Sequence, residues 1–201
     1  MEPVASPPPV HIVSGLPRSG TSMMMAMLQA GGLELLTDNA RGPDRDNPRG
    51  YFELEAVKEL SRGQQVPWLE RAHGKAVKVI SRLLYELPAS CHYNVIFMRR
   101  PLGEVMASQR QMVLERGGAV DGRQEARLAQ VFADHLAEVE AWMAANEQMR
   151  SLVVDYPDVL SRPLEQAGIV ADFLQLPLAA DAMAAAVDPA LYRQRHCAGS
   201  E

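Results

Sequence analysis

The chain has 201 residues, 47% of them hydrophobic and 22% charged, which is enough for one domain with a sizeable core and short for two ordinary ones. No apolar run approaches the roughly 20 residues of a membrane helix, and a formal charge of −5 argues against a chain whose main task is to coat nucleic acid, while leaving room for a local basic pocket. Cys91 and Cys197 lie far apart, with no CxxC or His/Cys spacing around them, so neither a disulfide framework nor a zinc site is indicated.

The opening residues, MEPVASPPPV, lack the basic start and apolar centre of a secretory signal. Residues 1–9 therefore read as a disordered or extended tail, residues 10–201 as a single domain, and the cytoplasm as the default location. Val10 to Ser14 reads as a short buried strand. A glycine-bounded loop then leads into an apolar helix over Ser22 to Leu28, closed by Gly31-Gly32.

The loop, GLPRSGTS from Gly15 to Ser22, has the spacing of a nucleotide phosphate loop, G-x-x-x-x-G-K-[ST], with Thr21 in place of the lysine. Backbone amides of a glycine turn at a helix N-terminus suit a phosphate without any side chain. Replacing lysine removes the cation a triphosphate needs at that point. Arg18 places a fixed charge inside the loop instead, and the hydroxyls of Thr21 and Ser22 can donate to a phosphate. The plainer reading is a surface glycine turn opening a helix.

Further along, TDNARGPDRDNPRG (Thr37 to Gly50) reads as a long polar loop, of a length more often functional than idle, followed by a helix over Phe52 to Arg62. Ala76 to Ile80, Tyr93 to Met98 and Leu152 to Val154 read as β-rich runs with helical segments between them. Strands alternating with helices imply an α/β fold, with a mainly parallel central sheet flanked by helices. Arg99-Arg100-Pro101 ends the second of these runs and opens a helix carrying Glu104 in its first turn, where the dipole favours an acid. Leu128, Val131, Phe132, His135, Leu136, Val139, Trp142 and Met143 recur at helical spacing. His135 reads as a core or boundary histidine on that stripe rather than a catalyst.

Pro17-Arg18-Ser19-Gly20-Thr21-Ser22 resembles the 5′-phosphosulfate-binding loop of sulfotransferases, which take a sulfuryl group from 3′-phosphoadenosine 5′-phosphosulfate (PAPS). Arg100 and Ser108, eight residues apart across the strand-to-helix junction, are similar to the family's 3′-phosphate-binding pair, with Glu104-Val105 matching its usual Asp-Val; Arg99 stands as a helper. The resemblance implies a P-loop-type three-layer fold, PAPS as donor, 3′,5′-bisphosphoadenosine as product and no required metal. The implied acceptor is a hydroxyl or amine on a small molecule or glycan, with neither nucleic acid nor membrane as partner; oligomeric state has no signal. Glu53, after NPRGYF, sits where many members carry an acidic base, and equally reads as a helix-start carboxylate. Lys78 matches a strand lysine of bacterial members that would assist Arg18 at the leaving phosphate, and equally reads as a structural partner of an acid. The family's Arg-Lys-Gly segment near the C-terminus is missing. Arg193, with Arg195 beside it, either substitutes for it in binding the cofactor or belongs to a solvated tail.

Two other classes remain. A P-loop kinase or hydrolase would use Asp155, at the end of Leu152-Val153-Val154, to hold magnesium. A non-catalytic nucleotide-binding module would keep the fold without turnover. Among the histidines, only His73 is kept in reserve as a base.

Overall fold

A computed structural model describes residues 7–38, 42, 50–62 and 66–191; Asn47, Arg49, Arg193 and Arg195 lie outside them. Among the described residues four strands form one sheet in the order β2-β1-β3-β4: β1 (Val10–Gly15), β2 (Ala76–Lys78), β3 (Tyr93–Arg99) and β4 (Met149–Asp155). Every pairing is parallel. Gly15, Lys78, Arg99 and Asp155 therefore all end at the same edge, where open parallel sheets form their pockets.

The inner strands are buried on both faces, which is why they read as continuous apolar runs rather than alternating ones. On one face Ile12, Val77, Val95 and Phe97 pack with α2 (Trp68–Ala72), Val139 and Met143 of α4 (Gly122–Ala145), and Leu54, Val57, Leu60 and Leu84. On the other, Val13, Ala76, Ile96, Met98 and Val154 pack with α1 (Thr21–Ala30), α5 (Tyr156–Ser161), α6 (Pro163–Leu174) and α7 (Ala180–Ala185). This is the three-layer α/β arrangement expected. α3 (Leu102–Glu115) leaves β3 at the pocket edge and packs beside α4.

The segment expected to be helical from Phe52 begins as irregular backbone, and the 3₁₀ helix covers only Glu55–Arg62. The cause is local. Gly50 and Phe52 both have left-handed backbone, φ 88° and 51°, which a right-handed helix does not accept. The turn is fastened from outside: the Thr37 hydroxyl donates to the Glu53 carbonyl at 2.9 Å, and the Glu55 amide donates to Asp38 Oδ2 at 2.6 Å. Glu53 is consequently not a helix-start residue. At the opposite end of the sheet, the Gly74 amide donates to the Pro9 carbonyl at 3.1 Å, and His73 Nδ1 lies 2.7 Å from the Pro8 carbonyl. No helix among the described residues is long and apolar enough to cross a membrane.

Candidate functional site

The loop between β1 and α1 is built from tight backbone. Gly15 has φ 144°, and a Cβ there would stand 2.5 Å from the Met98 carbonyl oxygen of the neighbouring strand, so only glycine fits. Arg18 (φ 71°) and Gly20 (φ 99°) are left-handed, and the Ser19 amide closes a turn on the Leu16 carbonyl at 3.2 Å. Gly20 precedes α1 without a side-chain cap, which leaves the first helical amides to a ligand or water. Ser19 Oγ is buried with no hydrogen-bond partner among the described residues. An anion cradle accounts for these features together: strained backbone, uncapped amides and an orphaned hydroxyl are costly in a plain turn and useful around a phosphate. Pro17 is exposed on the loop's rim, whereas Thr21 is buried and Ser22 half-buried at the start of α1.

Arg18 reaches from this loop to α3, where its Nε donates to Ser108 Oγ at 2.9 Å. Arg100, at the head of α3, donates from Nη1 to the Arg18 carbonyl at 3.1 Å and from Nε to Glu104 Oε2 at 2.9 Å. Its guanidinium also lies over the Tyr156 ring, 4.7 Å from the centroid. The two segments that the sequence offered as phosphate sites are thus joined by direct bonds into one basic pocket. Arg100 and Glu104 are both under a tenth exposed, and breaking a buried ion pair by removing one partner costs about 3–5 kcal/mol.

Lys78, at the end of β2, forms the pocket's other wall. Its Nζ donates to Ser22 Oγ at 3.1 Å and to the Tyr51 carbonyl at 2.9 Å, and lies 3.7 Å from Glu53 Oε1. The bent segment at Gly50 to Glu53 is what brings that carbonyl and that carboxylate to the lysine. The Lys78 side chain is 9% exposed and that of Glu53 38%, so the pair has one end held against α1 and one end open to solvent. Lys78 is thus partnered by an acid and also touches the start of α1.

Arg99 turns away from this pocket. It forms a bidentate pair with Asp155 at 2.8 and 2.9 Å, at matched positions of β3 and β4, and the guanidinium hydrogen bonds hold the Asp155 carboxyl below its ordinary range. His73 sits at the far edge of the sheet, against the start of β1. His135 meets Ser81 Oγ at 2.8 Å and the Tyr85 ring edge-on; burial lowers its pKa and favours the neutral ring. Among the described residues no cluster of three or more His, Cys, Asp or Glu could hold a metal ion.

Three contributors to the site stand outside the two motifs. Glu104 was legible as a helix-start acid, and its i,i+4 spacing to Arg100 was the available signal for the ion pair. The contacts of the Tyr51 carbonyl with Lys78 and of the Tyr156 ring with Arg100 join distant parts of the chain, which no local spacing reveals.

No family model matches the sequence, and no curated protein matches it either. Solved structures do resemble the fold. The sulfotransferase domain of an olefin synthase from Synechococcus aligns with a TM-score of 0.60 at 16% identity, over 100% of this chain and 93% of that one. A sulfotransferase from Mycobacterium tuberculosis gives 0.60 at 19% identity, over 93% and 74%. A sulfotransferase domain from the curacin biosynthetic pathway gives 0.55 at 15% identity, over 94% and 90%. The chain has a sulfotransferase-like α/β fold.

Proposed function

We propose that this protein is a cytoplasmic PAPS-dependent sulfotransferase that moves a sulfuryl group to a hydroxyl or amine. The observation that carries the reading is the bond from Arg18 in the loop to Ser108 on α3, with Arg100 tied to the same loop residue. A donor with phosphate groups at both its 5′ and 3′ positions calls for two cationic subsites at a fixed separation, and these contacts link two such subsites. The loop amides and the side chains of Arg18, Thr21 and Ser22 would hold the 5′ end, and Arg100 and Ser108 the 3′-phosphate.

When bound, the donor supplies a sulfuryl group on a phosphate leaving group. Glu53 takes the proton of the acceptor O–H or N–H as the new bond to sulfur forms. Arg18 and Lys78 stabilise the negative charge that gathers on the phosphate oxygen as its bond to sulfur breaks. No metal is needed for that charge, because the cations are already built into the pocket.

The competing reading, a P-loop kinase or hydrolase, needs a magnesium ion beside Ser22 and a carboxylate to hold it. Here the Lys78 ammonium stands against Ser22 Oγ, where it repels a cation, and both Asp155 oxygens are engaged by Arg99. A screen of phenols, alcohols, amines and glycans with sulfur-labelled PAPS tests the proposal. It expects label in at least one acceptor, undiminished by EDTA. Transfer of phosphate from magnesium-ATP, with no sulfuryl transfer, would replace it by the kinase reading.

A further inference from the structure

Glu53 belongs to no helix or strand, and the residue before it, Phe52, has φ 51°. A bulky side chain rarely adopts that left-handed backbone, which persists where the surroundings over-determine it. Two neighbouring carbonyls show how it is held. On one side of Phe52 the Tyr51 carbonyl accepts from Lys78 Nζ at 2.9 Å. On the other, the Glu53 carbonyl accepts from the Thr37 hydroxyl at 2.9 Å and from the Asp38 amide at 3.3 Å. Asp38 Oδ2 in turn accepts from the Glu55 amide at 2.6 Å.

Thr37 takes its own position from the sheet. Just before it, the Leu36 amide donates to the Ala76 carbonyl and the Ala76 amide donates to the Glu34 carbonyl, each at 2.9 Å, beside a parallel bridge between Leu35 and Ala76. Ala76 opens β2 and Lys78 ends it. Both carbonyls that flank Phe52 are therefore referred to one short strand, and the Glu53 carboxylate comes to 3.7 Å from Lys78 Nζ with its backbone held in this way.

We propose that Thr37 is a positioning residue: its hydroxyl fixes the Glu53 carbonyl, and through it the place from which the Glu53 carboxylate meets an acceptor. The proposal rests on the sulfotransferase reading above, in which Glu53 is the base. A reacting group misplaced by about 1 Å loses on the order of a hundredfold in rate, so removing one of several bonds that hold this turn is expected to cost about tenfold. Nucleotide affinity is expected to stay unchanged, because other residues bind the donor.

The test measures turnover of sulfur-labelled PAPS by Thr37→Val, Thr37→Ser, Glu53→Gln and the Thr37→Val/Glu53→Gln double variant. Water serves as one acceptor and the compound labelled in the acceptor screen as another. In either case the acceptor atom bonds to sulfur, the bond from sulfur to the phosphate oxygen breaks, and the acceptor proton passes to Glu53. Thr37→Val removes the hydroxyl at nearly constant shape, and is expected to lower kcat about tenfold with the KM for PAPS and the thermal shift by adenosine 3′,5′-bisphosphate unchanged. Thr37→Ser keeps the hydroxyl and is expected to stay within about twofold of wild type. The double variant separates positioning from a merely structural role. A residue that acts through Glu53 has nothing to act on once the base is gone, so the double variant is expected to match Glu53→Gln within about twofold. An equal loss in both backgrounds, a wild-type kcat in Thr37→Val, or a loss that Thr37→Ser shares would overturn the positioning role. If Thr37→Val does not fold, Thr37→Ala takes its place in the cycle. An unchanged kcat in Glu53→Gln, or no turnover of PAPS by the wild type with any acceptor, is a different result: it removes the reading of Glu53 as base or of the protein as a sulfotransferase, and the proposal with it.

Discussion

Arg18 holds a left-handed backbone, φ 71°, that costs a non-glycine residue about 1–2 kcal/mol, and the cost is intelligible if the side chain is needed there. Its hydrogen-bond partner is a serine hydroxyl, which water replaces easily, so the residue contributes little to the fold beyond that strain. Arg18→Gly is therefore expected to unfold at higher urea than Arg18→Ala, by about 1 kcal/mol. Both variants should lose the stabilisation that bisphosphoadenosine gives the wild type. Gly20 behaves in the opposite sense. Its φ of 99° and the Tyr156 ring in the path of any Cβ predict that Gly20→Ala destabilises by about 1–3 kcal/mol in the same measurement. On the proposed reading Glu53, with its side chain 38% exposed, acts in the chemistry and not in nucleotide binding. With an acceptor in hand, Glu53→Gln should lower kcat by about 10²–10⁴-fold while bisphosphoadenosine binds as before; an unchanged kcat would remove Glu53 as the base.

At the scale of elements, much of the fold was readable and the exceptions have local causes. β1 and β3 match their apolar runs to within one residue at the C-terminal end, because strands buried on both faces are marked by nearly unbroken apolar runs. β4 begins three residues earlier than its apolar run Leu152 to Val154. It is an edge strand, and Arg150 and Ser151 face solvent, so a search for apolar residues starts too late. β2 stops at Lys78, two residues short of its apolar run, as the chain turns into the 3₁₀ helix over Ser81–Glu86. Of the site, the loop and the Arg100/Ser108 spacing were legible because each lies within one short segment. The Lys78–Tyr51 and Arg100–Tyr156 contacts span 27 and 56 positions; no local pattern encodes them. The Arg99–Asp155 pair carries a prediction at this scale. The folded-state pKa of Asp155 is depressed, so the pair's contribution is present above the ordinary carboxylate range near pH 4 and is lost as pH falls through the lower folded value. Because both side chains are more than a third exposed, the contribution is small, at most about 1 kcal/mol. Asp155→Asn should be less stable than wild type by that amount at pH 7, with the difference vanishing toward pH 2 in thermal unfolding; a difference that persists there would show that the carboxylate charge is not its source.

Across the whole molecule, the parallel sheet does one thing for function: it delivers four strand ends to one edge. Gly15 opens the loop into α1, Lys78 ends β2 beside it, Arg100 follows β3, and Asp155 ends β4 just before Tyr156. The most direct test of this arrangement is thermal unfolding with adenosine 3′,5′-bisphosphate in the presence of EDTA. A ligand at 100 times its Kd stabilises the native state by about 2.7 kcal/mol, which for a chain of this size raises Tm by roughly 5–10 °C. The account predicts that shift without metal and its loss in Arg18→Ala. No shift at millimolar bisphosphate, or a shift produced only by ADP with magnesium, would contradict it.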